Sequence, residues 1–141
     1  MTQASILFPA FALVLLTFVV WLRMYYVRFS EARRHNIAIE DLTPFNRNLP
    51  RTIAVSGDNL RNLCELPVLF YVAVGLILQL GATDASYVWL AWTYVALRYA
   101  HSYIHTGYNR ISHRFTVYFL SSMVLWAMWL RLAWQVAHSA R

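Results

Sequence analysis

Three short clusters in this sequence combine residue types and spacings that could grip or activate a small anion. Asp58, Asn62, Glu65 and Leu69 fall three or four residues apart and would share one face of a helix, with Arg61 able to reach Glu65 at i+4. Tyr94, Arg98, His101 and His105 form a second such stripe, and Arg114 with Tyr118 a third. Three arginines set against Glu65 leave surplus positive charge, which suits a ligand bearing carboxylates. The plainer alternative is that Glu65 pairs with Arg61, Arg98 or Arg114 and the charges only pin helix packing. His101 and His105, at i and i+4, could also hold a metal with Glu65 or His113. Nearby guanidiniums disfavour a cation, however, and the chain has only 5 histidines, so no metal is expected. Cys64 sits beside an acid and among apolar residues, both of which raise a thiol's pKa, and is read as inert filling.

The elements that must position these residues are membrane helices. The 141 residues are 60% hydrophobic and 13% charged, which excludes an ordinary soluble globule. All of the positive charge is arginine, 12 against 6 acids, and it lies between apolar segments instead of on one polar face, so nucleic acid is not an expected partner. The N-terminus, Met1-Thr2-Gln3-Ala4-Ser5, has no basic residue and no small-x-small site follows the apolar run, which argues against a cleaved signal peptide. No internal repeat, phosphate loop or Gly-x-Ser-x-Gly turn is present.

The pattern predicts a single domain, 1–141, with helices over about 5–27, 52–80, 85–106 and 114–137. Pro9 falls in the first turn of the first segment, where a missing N–H costs little. The connection 28–51 carries five arginines and is broken by Pro44 and Pro50, so it reads as an interfacial helical piece followed by a loop. The second segment's apolar part, 68–80, is shorter than the roughly 20 residues a span needs, so it must borrow length from the side of Asn62 and Glu65. An acid at mid-span costs on the order of 2.5–3.5 kcal/mol, and residues carrying that cost usually face the bundle interior. Pro67 cannot donate to the carbonyl of Leu63, so a kink or loosened turn is expected beside Glu65. The first and third connections hold the arginines. The positive-inside rule therefore puts both termini on the non-cytoplasmic side, with Trp89, Trp92, Trp126, Trp129 and Trp134 near the outer interface. All three polar clusters then fall at the cytoplasmic ends of their helices. The fold expected is an all-α integral membrane protein, a four-transmembrane-helix bundle in the lipid bilayer.

Asn62-x-x-Glu65 opening helix two, Arg98-x-x-His101 in helix three and Arg114-x-x-x-Tyr118 opening helix four resemble the MAPEG family, the membrane-associated proteins of eicosanoid and glutathione metabolism. The resemblance covers essentially the whole chain and suggests a bacterial member, in the inner membrane. It implies a homotrimer that binds glutathione between neighbouring subunits near the cytoplasmic face, as co-substrate of a transferase or peroxidase acting on a small lipophilic electrophile. Arg114 would then stabilise the thiolate, while Asn62, Glu65, Arg98, His101, Arg110 and Tyr118 line the glutathione site. The sequence departs from the family pattern at Asp58 (where members often carry arginine), at His105 (often tyrosine) and at Phe115 (serine in the prostaglandin synthase branch), and Pro67 comes early. Prostaglandin or leukotriene synthesis is therefore not expected. The alternative reading is a non-catalytic MAPEG-like scaffold or lipid-binding protein that has lost glutathione activation.

Overall fold

The structure is a computed structural model that describes residues 2–43 and 48–139. Pro44 and Arg47 of the first connection lie outside the described residues. A 3-10 turn, Gln3–Ile6, leads into α1, Leu7–Arg34, which is followed by α2, Arg51–Cys64, α3, Leu66–Gln79, α4, Ala85–Thr106, and α5, Ile111–Ser139. Three stretches, Gln3–Arg34, Arg51–Gln79 and Ile111–His138, are long and apolar enough to cross a membrane, and the chain is an integral membrane protein. Its surface carries Phe8, Phe11, Phe18, Trp89, Leu130 and Trp134 largely exposed, an outside that suits hydrocarbon and not water.

α1 buries Pro9, Leu13, Leu16, Val20 and Met24 at helical spacing. It does not end near residue 27 but runs to Arg34. The apolar pattern stops where it does, but a helix needs a stop signal, and none appears before Asn36. That residue takes φ +51°, and the Ile37 N–H closes on the Ala32 carbonyl at 2.9 Å. The interfacial piece expected after Val27 is thus the end of α1 itself.

The second segment is two helices. At Glu65 the backbone leaves helical geometry (φ −93°, ψ −103°), and Pro67 lies in the first turn of α3. The proline lacks the N–H that would bond the Leu63 carbonyl, and its ring would clash with it. The break also undoes the i+4 relation between Arg61 and Glu65. Arg61 pairs instead with Asp58, one turn back at 4.0 Å.

α4 is the most polar of the long helices, and its polar residues point inward: Arg98, His101, Ser102 and His105 are all buried, packed among α1, α2 and α5. Asp84 caps its N-terminus, accepting from the Tyr87 N–H at 2.9 Å. The same carboxylate grips Arg131 of α5 through both oxygens, and the Arg131 guanidinium lies 4.0 Å from the Tyr87 ring centroid. The Arg131 hydrogen bond holds the Asp84 carboxyl down to about 2. Tyr87 donates to Gln135 at 3.0 Å, and Gln3 to the Gly81 carbonyl at 2.9 Å. Gln3, the last turns of α5 and the α3–α4 turn therefore gather at one end of the bundle.

At the opposite end, α4 stops at Gly107, where a Cβ would meet the Tyr103 carbonyl at 2.9 Å. Asn109 follows at φ +48°, and α5 begins at Ile111 instead of near residue 114. Arg114 thus lies one turn inside α5.

Candidate functional site

Helices α2, α4 and α5 bring Asn62, Arg98, His101, Arg114 and Tyr118 together at this second end. Arg98 is fourteen residues, about 21 Å at ~1.5 Å per residue, along α4 from Asp84. Asn62 is among the last four residues of α2, whose carbonyls have no helical donor. Arg98 takes that place, with Nη2 donating to the Asn62 carbonyl. The sequence pointed to the Asn62 side chain; the break at Glu65 makes its backbone the partner. Arg98 has no exposed surface, and its guanidinium carbon lies 5.4 Å from the centre of the Tyr118 ring. A cation over an aromatic face is worth about 0.5–2 kcal/mol, the more so when desolvated. Its Nε and Nη1 are buried without a partner among the described residues.

His101 lies 3.3 Å through Nδ1 from the Arg114 carbonyl. A carbonyl can only accept, so Nδ1 carries the proton and a neutral ring leaves Nε2 as an acceptor, itself buried and unpartnered among the described residues. The His101 ring lies 5.6 Å from Tyr118 and 5.7 Å from His105. Arg114 is half-buried and anchored by Nη1 to Asn109 Oδ1 at 2.9 Å. Asn109 went unremarked in the sequence; its signal there was an asparagine in a turn, a residue type that tolerates positive φ.

Asn62, His101, Arg114 and Tyr118 line a cavity of about 200 Å³ rimmed by Ile111 and Phe115. Two guanidiniums serve this region, Arg114 in the wall and Arg98 behind it, and no acid lines the cavity. That balance favours an anion. Ligand pockets usually run from roughly 300 to 1,000 Å³. The cavity of one chain falls below that range.

The other expected residues fall elsewhere. Glu65 is exposed at the break and does not line the cavity, although Arg98 remains within its electrostatic reach. Arg110 is exposed in the α4–α5 turn and contributes only its carbonyl, to the Arg114 N–H. Cys64 is exposed at the end of α2, not buried as filling. His101 and His105 face different cavities, His105 that of Arg23. Among the described residues no three His, Cys, Asp or Glu side chains come together.

A family model described as the MAPEG family matches residues 6–134. Neither a curated protein nor a solved structure matches the chain.

Proposed function

The chain belongs to the MAPEG family, and from that premise we propose that it is a glutathione-dependent transferase or peroxidase acting on a lipophilic electrophile held in the bilayer. One observation carries the reading: Asn62, His101, Arg114 and Tyr118, from three helices, line one open, acid-free cavity backed by buried Arg98. The residues present fit a tripeptide anion. Behind the wall Arg98 keeps two donors without acceptors and His101 an acceptor without a donor, so uncompensated positive charge stands against the cavity where a carboxylate would sit. Asp58, which stands where family members often carry arginine, is countered by Arg61 at 4.0 Å and does not line the cavity.

Glutathione, when bound, supplies a thiol whose ionised form is the nucleophile. A free thiol with pKa about 8.5 needs about 2 kcal/mol of preference for the anion to be half ionised at pH 7. Arg114 supplies it by placing a permanent positive charge in a partly dry wall, with Asn109 fixing the guanidinium's position. Asn62 meets the carboxylate end from the wall, and Arg98 attracts it by its charge from behind. Tyr118 keeps Arg98 in place through its ring and narrows the cavity against water.

The same reading makes α4 a fourth membrane span. Its mean hydropathy is lowered by Arg98, His101, Ser102 and His105, but all four are buried in the bundle and none meets lipid. It also places the arginine-bearing connections in the cytoplasm, the termini outside, and the protein in a bacterial inner membrane. The exposed positions of Glu65 and Arg61 and the small cavity of one chain support a homotrimer in which a neighbour completes the site.

Calorimetric titration of glutathione into the purified protein, with Arg114→Ala beside it, tests the reading. Millimolar or tighter binding is expected, weakened in the variant. No binding to an intact fold discards the enzyme and leaves the alternative, a membrane scaffold.

A further inference from the structure

A second and larger cavity, about 560 Å³, lies between the C-terminal half of α1, the first turn of α2 and the α4–α5 connection. It shares no lining residue with the Arg114 cavity. Arg23 and Arg51 bring two positive charges to its wall, and Glu31 one acid. That acid is already engaged: Thr52 donates to its Oε2 at 3.0 Å, and His35 and Arg34 approach it at 3.6 and 4.0 Å from outside the cavity. The remaining balance in the cavity is cationic.

Two further features point to an anion. The N-cap residue of α2, Pro50, offers no side-chain cap and the helix's first turn holds no acid, so the positive end of that helix stands at Arg51 and Thr52, both of which line the cavity. His105, in the opposite wall, is 2% exposed, and its Nδ1 has no partner among the described residues. Guanidiniums, a helix N-terminus and an imidazole nitrogen on three separate elements can surround a group with several acceptor oxygens, where a planar carboxylate would meet only one side.

We propose that this cavity is a phosphate-binding site, distinct from the candidate glutathione site. Its height suits the phosphate of a lipid headgroup. Arg23 lies near the end of the apolar part of α1, and exposed Tyr26 beside it is the kind of residue that settles at headgroup level. A soluble phosphate would meet the same donors, and the experiment separates the two.

The full chain, purified in a neutral maltoside detergent, is titrated with short-chain phosphatidic acid, with phosphatidylcholine of the same chains and with inorganic phosphate, read by calorimetry and melting temperature. Binding is expected, and Arg51→Gln at the exposed rim should weaken it about tenfold, the worth of one charge-assisted hydrogen bond. Val55→Phe, which fills the cavity without altering charge, should weaken it too. Arg33→Gln removes the same charge from the exposed end of α1 and should leave binding unchanged. Binding of the lipids alone identifies a headgroup as the occupant; binding of inorganic phosphate as tightly as lipid identifies a soluble ligand. The proposal is overturned if none of the three binds, if Arg33→Gln weakens binding as much as Arg51→Gln, or if glutathione displaces the bound phosphate.

Discussion

Replacing Asp84 with asparagine should cost the bundle stability at neutral pH and cost it nothing in strong acid. Asparagine keeps the helix cap, because its side-chain oxygen still accepts from the Tyr87 N–H. It removes only the negative charge facing Arg131. The carboxyl is held at about 2 against an ordinary 3.8, a difference that would be worth about 2.4 kcal/mol if unscreened. Its side chain is 44% exposed, however, so solvent takes much of this and about 1 kcal/mol remains. The folded value lies below the unfolded one. The contribution is therefore complete above about pH 4 and disappears as pH falls towards 2. Thermal unfolding in detergent, followed by circular dichroism from pH 6 down to pH 2, should show the variant melting about 2–4 °C lower at pH 6. The two curves should converge in acid. A gap of equal size at both extremes would refute the ion pair as its source and leave cap geometry as the cause. Glutathione binding should not change, because Asp84 and Arg98 sit at opposite ends of α4.

Substitutions at three other positions probe the site end. Pro67→Ala restores the missing donor, so α2 and α3 should join, the Asn62 carbonyl should return to the helix, and Arg98 should lose its partner; higher helicity with weaker glutathione binding is expected, and unchanged affinity would show that the break does not shape the site. Gly107→Ala forces a Cβ to within 2.9 Å of the Tyr103 carbonyl, a backbone atom that cannot easily give, and should destabilise by about 1–3 kcal/mol, measured as a lower melting temperature. Tyr118→Leu removes the ring beneath Arg98 and should cost about 1 kcal/mol, whereas Tyr118→Phe keeps that contact and should melt close to the parent.

Much of this was legible from residue order, because a bilayer imposes strong periodic constraints. The apolar segments, the interruption beside Glu65 and the depth shared by Asn62, Arg98 and Arg114 all follow from where polar residues interrupt hydrocarbon-length runs. Helix ends were less legible. Hydropathy reports where lipid ends, but α1 stops only where Asn36 supplies a left-handed residue. Azimuth across a break was not legible at all: a continuous helix would put Glu65 on the Asn62 face, and the loss of helical geometry at Glu65 turns it outward. The Asp84–Arg131 pair joins residues 47 apart, and no periodicity within one segment reports a contact between two.

The deepest polar cost in the molecule also bears on which reading of the site is physically reasonable. Arg98 is fully buried, and only Nη2 among its nitrogens has a hydrogen-bond partner among the described residues. A buried donor without an acceptor costs about 1–3 kcal/mol, more when charged. A charge whose only task was to pin helices would be better satisfied, or replaced by an apolar side chain of similar volume at no loss. Glu65 does not settle the account, because it is exposed and makes no ion pair among the described residues. Tyr118 offers Arg98 its ring face, which attracts the cation without accepting its N–H groups in the way an oxygen would. A scaffold gains nothing from this arrangement. A site that must hold a carboxylate beside it does, because a charge fixed behind the wall and already dehydrated loses little on binding. That difference is measurable without any turnover assay: Arg98→Met should preserve or raise the melting temperature of the ligand-free protein while abolishing protection by glutathione. A variant that melts far lower with glutathione absent would mean that Arg98 serves the fold alone.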